Sequence, residues 1–187
     1  ATIHHGIPID DFPLNPAGSD DLLFFGRIHP DKGAAEAIAA ARTCGRHLHM
    51  YGIVQDKDYY ERDVEPAVDG TRVTYHGAVG GTQRLRALGE ARALLHLIKF
   101  DEPFGLSVIE AMACGTPAIA TRRGSMPELI EDGITGFLVD SLDEANQAIE
   151  RVDEIDRSRV RRAVADRFSV DRMADDYLTL YRRVVGT

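Results

Sequence analysis

The sequence of 187 residues is poor in the features that mark several common protein classes. It has two cysteines, Cys44 and Cys114, which lie far apart and outside any C-x-x-C spacing. This argues against a disulfide framework or a thiolate metal site and favours a reducing compartment. There is no apolar run of the roughly 18 residues that a membrane-spanning helix needs, and no signal peptide. We therefore expect a cytoplasmic protein without a transmembrane segment.

Basic residues are also in the minority. Lys and Arg number 22 against 30 Asp and Glu, which gives a net charge of −8. A surface that binds nucleic acid needs clustered Lys and Arg to neutralise phosphates, so we expect no nucleic-acid partner. The remaining composition, 44% hydrophobic and 28% charged, is that of an ordinary globular domain long enough to bury a proper core.

Short apolar runs alternate with helical patterns along the chain. Runs of this kind are typical of strands buried on both faces of a parallel sheet. The alternation predicts an α/β fold, a Rossmann-like doubly wound parallel sheet of about six strands with helices at its C-terminal end. The predicted strands are 22–26, 47–52, 72–77, 93–98, 117–121 and 136–139.

The chain divides into three parts by this pattern. Residues 1–20 are extended and punctuated by proline, like a linker that enters from another domain. Residues 21–170 form the α/β domain. Residues 171–187 form a last helix, in which Met173, Tyr177, Leu180 and Val184 share one stripe that we expect to dock on an apolar surface.

The segment FFGRIHPDKG, residues 24–33, combines a strand end with two cations. Ligands of such sheets bind outside the carboxyl ends of the strands. Gly26 permits a tight turn there, and Arg27 and Lys32 then flank a helix start, an arrangement that suits a diphosphate. The alternative is that Arg27 pairs with a surface acid and Lys32 is solvated, and the spacing leaves both open.

The segment DEPFGLSVIEAMACGT, residues 101–116, carries Glu102 before a predicted helix and Glu110 inside it. The two carboxylates would line one wall of a pocket if Glu102 lies on the preceding loop. Alternatively, Ser107 and Glu110 form a capping box, S-x-x-E, at the start of the helix. The sequence does not separate these two interpretations.

Three of the histidines on predicted strands bear on a metal site or on the core. His47 and His49 share one strand face, but two imidazoles alone are a weak basis for a metal site. His96 lies among apolar neighbours and is best interpreted as a core residue. No D-x-D motif stands at a strand end, so we expect no metal and no cofactor.

Three segments together resemble one enzyme family. EPFGLSVIEAMACGTPAIA resembles the E-x7-E signature of the retaining GT-B glycosyltransferases, glycosyl transferases group 1 (family 4). FFGRIHPDKG resembles that family's G-R-x(4)-K-G segment, and HHGIPIDDF the segment that enters its C-terminal domain. The order of these segments implies that the chain is one half of a GT-B fold, the half that binds the nucleotide-sugar donor.

The resemblance implies roles for individual residues. Arg27 and Lys32 would bind the donor diphosphate, with Gly26 beside it, and Glu102 would contact the sugar hydroxyls. Glu110 would accept hydrogen bonds from the ribose, and the Val79 backbone with Arg84 would hold the base. The amides of Phe104, Gly105 and Leu106 would lie near the sugar.

The resemblance also implies a missing partner, the N-terminal GT-B domain that would bind the acceptor and receive the last helix. The chain would then be the donor-binding half of a hexosyltransferase. Two alternatives stay open. One is a free-standing nucleotide-sugar-binding or regulatory module. The other is a different GT-B enzyme such as an epimerase or a phosphorylase, although Lys99, at a predicted strand end, makes a poor pyridoxal phosphate lysine.

Overall fold

The computed structural model describes residues 1–186. Across these residues, six parallel strands form one sheet in the order β3-β2-β1-β4-β5-β6. This confirms the predicted Rossmann-like sheet, and each predicted strand is present. The strands are β1 Leu22–Phe25, β2 Leu48–Tyr51, β3 Val73–Tyr75, β4 Ala93–His96, β5 Ala118–Thr121 and β6 Gly136–Val139.

Helices cover both faces of the sheet, as a doubly wound fold requires. Helices α1 and α6 pack together on one face, and α3, α4 and α7 pack on the other. The helices are α1 Ala34–Thr43, α2 Lys57–Tyr59, α3 Gly81–Glu90, α4 Leu106–Ala113, α5 Met126–Leu129, α6 Leu142–Arg151, α7 Arg157–Phe168 and α8 Val170–Val185.

The central strands explain the continuous apolar runs in the sequence. Residues 22–24 of β1 and all four residues of β4 are buried, because helices cover both of their faces. Parallel register sets Leu22 opposite both Leu48 of β2 and Ala93 of β4. Strands β1 and β4 are therefore the middle of the core, and their carboxyl ends lie side by side.

The segment 1–20 packs against the domain along α7. Ile7 and Phe12 are buried, and the amide of Ile7 donates to the carbonyl of Phe168 at 2.8 Å. The guanidinium of Arg161 donates to the carbonyls of Ile9, at 3.2 Å, and Phe12. The predicted boundary at residue 20 stays a prediction.

One helical segment has no counterpart among the predicted elements. After α2, the chain continues through a π-helical turn, Tyr60–Val64, and a 3-10 turn, Glu65–Ala67. Tyr59, Val64 and Ala67 bury their side chains against the domain. The sequence does not predict this segment, because Pro66 and a run of charged residues interrupt the helical spacing of its apolar residues.

Helix α8 matches the predicted last helix, with Thr187 of the predicted range 171–187 outside the described residues. Its 16 residues include no buried one among those described. Tyr177, Tyr181 and Val184 are 41%, 59% and 75% exposed. No helix within residues 1–186 combines the length and apolar character that crossing a bilayer requires.

Candidate functional site

The candidate site lies where the sheet order reverses. From β1 the chain proceeds outward to β2 and β3, then returns across the sheet to β4 on the other side of β1. The loops after β1 and β4 therefore leave in opposite directions and open a crevice, which is where open α/β sheets bind ligands. Arg27 and Lys32 follow β1, and Glu102 follows β4.

Lys32 and Glu102 form an ion pair inside this crevice. The Lys32 Nζ atom lies 2.5 Å from Oε2 of Glu102, and the two side chains are only 14% and 15% exposed. The same ammonium lies 4.4 Å from the centre of the Phe100 ring. The alternative of a solvated Lys32 is therefore wrong, because the lysine is enclosed by an acid and an aromatic ring.

Two glycines allow close backbone contacts in the loops around this pair. Gly33 follows Lys32 with φ +74°, and a Cβ there would collide with the carbonyl of Leu97. Gly124 has φ +54°, and a Cβ there would collide with the backbone of Glu102. The amide of Ser125 also donates to the Glu102 carbonyl at 3.0 Å. The loop that carries Glu102 is thus fixed from the side of β5.

Arg27 stands at the same edge of the sheet but makes a separate contact. Its guanidinium donates to the side-chain oxygen of Gln55, which is a neutral group. The alternative in which Arg27 pairs with a surface acid is therefore wrong. Gly26, just before it, donates its amide to the carbonyl of Tyr51 at 3.0 Å. The structure leaves the charge of Arg27 without an acidic partner among the described residues.

Glu110 pairs with Arg84 of α3 rather than with its own helix start. Helix α4 begins at Leu106, with Gly105 as its N-cap, and no side-chain cap forms among the described residues. Ser107 is then the second residue of the helix, so the capping-box alternative is wrong. Glu110 is only 13% exposed, and Arg84 also lies over the ring of Phe12, 5.7 Å from its centre.

The loop before α4 presents backbone amides. The carbonyl of Phe104 accepts a hydrogen bond from Ser125 Oγ at 2.6 Å, which fixes the turn. Within residues 1–186, the amides of Phe104, Gly105 and Leu106 have no acceptor. A free helix start of this kind carries a partial positive charge and suits an oxygen-rich ligand.

Val79 lies apart from the other predicted residues. It borders a groove of about 850 Å³ on the sheet face beside α3, together with His49, Tyr51 and His76. Neither the Lys32–Glu102 pair nor the Arg84–Glu110 pair lines that groove. The structure therefore brings together Lys32 with Glu102 and Arg84 with Glu110, and places Arg27 and Val79 at separate positions around them.

His96 lies beneath the crevice as a core residue. It is 5% exposed, and its Nε2 atom has no hydrogen-bond partner in the described chain. Burial, with a smaller contribution from the Lys32 charge, lowers the pKa of His96 to about 3. The imidazole is therefore neutral at physiological pH and adds no charge to the crevice.

Sequence reasoning missed Gln55 and Phe100 as neighbours of the two cations. Gln55 belongs to a loop after β2, and no local pattern relates it to Arg27, 28 positions away. Phe100 directly follows Lys99 in the stretch before Glu102, and an aromatic residue next to a predicted ligand acid is a signal that could have found it.

Comparison with known sequences decides the family. The sequence profile described as glycosyl transferases group 1 matches residues 8–167. The chain belongs to this family. The match spans the crevice, both of its ion pairs and the whole sheet.

Two curated relatives agree with this assignment. D-inositol 3-phosphate glycosyltransferase of Mycobacterium tuberculosis is 31% identical over 211 aligned positions, covering 98% of this chain and 44% of the relative. N-acetyl-alpha-D-glucosaminyl L-malate synthase of Bacillus anthracis is 36% identical over 122 residues, covering 61% of this chain and 31% of the relative. The chain thus spans less than half the length of these curated relatives.

Solved structures agree on the fold. AviGT4, a glycosyltransferase involved in avilamycin A biosynthesis, is 30% identical with a TM-score of 0.81, covering 99% of this chain and 58% of that one. Anabaena Alr3699/HepE, solved in complex with UDP-glucose, has a TM-score of 0.84 at 21% identity, covering 98% of this chain and 57% of that one. The second likeness concerns the fold alone.

Proposed function

We propose that this chain is the part of a retaining glycosyltransferase that binds a nucleotide-diphospho-sugar, from which a hexosyl group passes to an acceptor. The observation that carries the proposal is the contact of Lys32 with Glu102 at the reversal point of the sheet, in a member of the group 1 family. A cation and an acid side by side match the two halves of such a donor, its diphosphate and its sugar.

The donor would lie along the crevice. Arg27 and Lys32 would hold the diphosphate, and Glu102 would accept hydrogen bonds from sugar hydroxyls next to the free amides of Phe104, Gly105 and Leu106. Glu110 would accept from the ribose hydroxyls, Arg84 would lie at the edge of the base, and the Val79 backbone would contact it. Gly26 would leave room for the pyrophosphate.

Charge development explains why cations are needed. Glycosyl transfer passes through an oxocarbenium-like state while negative charge grows on the departing nucleotide. Fixed positive groups aimed at that charge stabilise the transition state more than the ground state. Arg27 has no acidic partner among the described residues, so its charge is available for the phosphates. This chemistry requires no metal ion at the donor.

A second domain is part of the proposal. The matched relatives are more than twice the length that this chain covers in them, at coverages of 31% and 44%. Two residues of the apolar stripe of α8, Tyr177 and Val184, are exposed in this chain, as expected of a helix that packs on a further domain. That N-terminal domain would supply the acceptor site.

The first experiment measures nucleoside diphosphate affinity by calorimetry for wild type, Arg27→Ala and Lys32→Ala. Each substitution removes a charge-assisted hydrogen bond and should weaken UDP, GDP or ADP binding, whichever binds best, by about 1–3 kcal/mol. Arg62→Ala is the matched control, since Arg62 pairs with Asp63 on the surface. Equal affinity of all four proteins would exclude the phosphate role.

A second experiment separates the diphosphate from the sugar. Glu102→Gln removes the acid that neutralises Lys32, so UDP should bind equally or more tightly. UDP-glucose should lose the extra affinity that its sugar gives it over UDP. Asp101→Asn, an exposed neighbour, is the control. If Glu102→Gln weakens UDP and UDP-glucose by the same factor, Glu102 has no role in sugar recognition.

A further inference from the structure

The groove beside α3 holds a group of side chains that the donor site does not use. Asp21, His47, His49 and His76 gather at strands β1, β2 and β3, on the sheet face that α3 covers only in part. Asp21, His47 and His49 are half-buried and His76 is exposed. Neither of the ion pairs in the crevice touches them.

The register of the sheet brings these residues together. His47 precedes β2 and His49 lies within it, and alternation along a strand points both to one face while Leu48 and Met50 are buried on the other. Leu22 of β1 lies opposite Leu48, so Asp21, one position earlier, falls beside His47. His49 lies opposite Thr74 of β3, and His76 follows β3 on the same side.

The distances between the candidate ligand atoms are close to those of a metal site. The Nε2 atom of His49 lies 3.1 Å from Oδ2 of Asp21, and the rings of His47 and His49 are 4.2 Å apart. One ligand atom each from Asp21, His47 and His49 lies within 4.8 Å of the other two. Ligands of a tetrahedral zinc ion are about 3.4 Å apart, given bonds of about 2.1 Å. Small side-chain rotations would close the difference.

His76 holds the central imidazole in place. Its Nε2 atom lies 2.9 Å from Nδ1 of His49, and its ring stacks on Tyr51 at 4.5 Å. With Nδ1 of His49 engaged by His76, the Nε2 atom is the one presented to Asp21. A partner on the second nitrogen is how metal-binding histidines are oriented in proteins.

We propose that Asp21, His47 and His49 bind one divalent transition-metal ion of the Zn²⁺ class, with His76 orienting His49. Two imidazoles and one carboxylate suit zinc, nickel or copper and do not suit Mg²⁺ or Ca²⁺, which prefer oxygen ligands. The ion would tie the beginning of β1 to β2 and stabilise the folded state. None of these four residues is among the proposed donor contacts, so the metal proposal and the donor proposal can be tested independently.

The test is calorimetric titration of the EDTA-treated, dialysed 187-residue chain with ZnCl₂, without nucleotide. We expect one ion per chain for wild type. His47→Gln, His49→Gln and Asp21→Asn should each weaken binding by more than about ten-fold, and His76→Gln should weaken it while one ion per chain still binds. Circular dichroism in EDTA verifies that each variant folds, and the three ligand variants substitute for one another if one does not.

His29→Gln is the matched control. His29 lies 3.4 Å from Asp31, which reproduces a surface histidine–aspartate pair without further imidazoles. This variant should bind Zn²⁺ like wild type, and Zn²⁺ but not Mg²⁺ should raise the melting temperature of both. The proposal is wrong if wild type binds no zinc, or if folded His47→Gln and His49→Gln bind it as tightly as wild type.

Discussion

Helices α4 and α8 show two ways in which a helix of this fold is supported. Five of the eight residues of α4 are buried, whereas none of the 16 residues of α8 is buried among those described. The first turn of α8 is tied to the domain, since Arg172 donates to the carbonyl of His4 at 2.7 Å and Met173 Sδ accepts from the amide of Gly6 at 3.2 Å. Its later turns carry exposed Tyr181 and Val184.

The difference follows from where helices obtain their stability. Most of it comes from packing an apolar face, not from intrinsic propensity. Helix α4 finds that packing within this chain, against the sheet and α7. Helix α8 contacts the rest of the described chain through its first turn, and the later residues Tyr177, Tyr181 and Val184 stay exposed. The segment around α4, which also positions Glu102 and Glu110, is therefore stabilised by packing within the described chain. Most of α8 is not.

The largest effect should come from the core face of α4. Ile109→Ala removes a fully buried side chain and leaves a cavity, so the free energy of unfolding should fall by about 4 kcal/mol. Leu106→Ala, in the first turn of the same helix and 50% exposed, should change it by less than about 1 kcal/mol. Urea denaturation measures both. Similar losses for the two variants would mean that α4 is not packed as described.

The next largest effect should come from Arg157, through which α7 contacts segment 1–20, α3 and Thr116. Arg157 donates to the carbonyls of Asn15, Gly89 and Ala91 and to Thr116 Oγ1, at 2.7–2.9 Å. Arg157→Met keeps the apolar stem but leaves these acceptors without a donor, which should cost about 3 kcal/mol in urea denaturation.

The control for Arg157 is Arg159→Met on the same helix. Arg159 is exposed, so Arg159→Met should change the free energy of unfolding by less than about 0.5 kcal/mol. If both variants unfold at the same urea concentration, the four hydrogen bonds of Arg157 do not stabilise the junction of segment 1–20, α3 and α7.

A smaller effect tests the backbone fit around Glu102. Gly124→Ala adds a Cβ in a left-handed conformation and against the Glu102 backbone, so we expect about 2 kcal/mol of destabilisation. Gly133→Ala, at φ +74° with no heavy atom of the described chain within 4 Å, has the conformational cost alone, about 1 kcal/mol. Thermal or urea unfolding of the pair isolates the collision. Equal destabilisation by the two variants would mean that the Glu102 loop moves to accommodate the Cβ without loss of stability.

The smallest effect is expected in α8. The double variant Tyr181→Ser, Val184→Ser should change the free energy of unfolding of this chain by less than about 0.5 kcal/mol per site, because both side chains are exposed. Light scattering checks that the protein is monomeric in the same buffer. A loss as large as that of Ile109→Ala would contradict the difference between the two helices, because Tyr181 and Val184 would then be packed in solution.

Much of the fold could be predicted because buried parallel strands leave continuous apolar runs in the sequence. Strand β4, for example, was predicted at 93–98 and is found at Ala93–His96. The segment 57–67 was missed because its buried residues, such as Tyr59 and Val64, fall in a charged stretch that changes helix type midway.

The sequence motifs select candidate site residues, but they do not indicate how these residues pair. The G-R-x(4)-K-G and E-x7-E spacings select Lys32, Glu102 and Glu110 without indicating that Glu110 meets Arg84. That contact depends on how α3 and α4 lie against each other, which no local pattern encodes. The full histidine cluster is not visible in the sequence for a related reason, since Asp21 and His76 join His47 and His49 only through the register of three strands.

The ion pair of Lys32 with Glu102 has a consequence for selectivity. In the proposed donor site, the carboxylate of Glu102 already balances the charge of Lys32, so this lysine attracts a free phosphate less than an unpaired lysine would. A phosphate that bound Lys32 alone would leave the largely buried Glu102 carboxylate without its cation. A donor that carries hydroxyls beside its phosphates would satisfy both groups, so we expect the pair to favour a nucleotide-sugar over a nucleoside diphosphate alone.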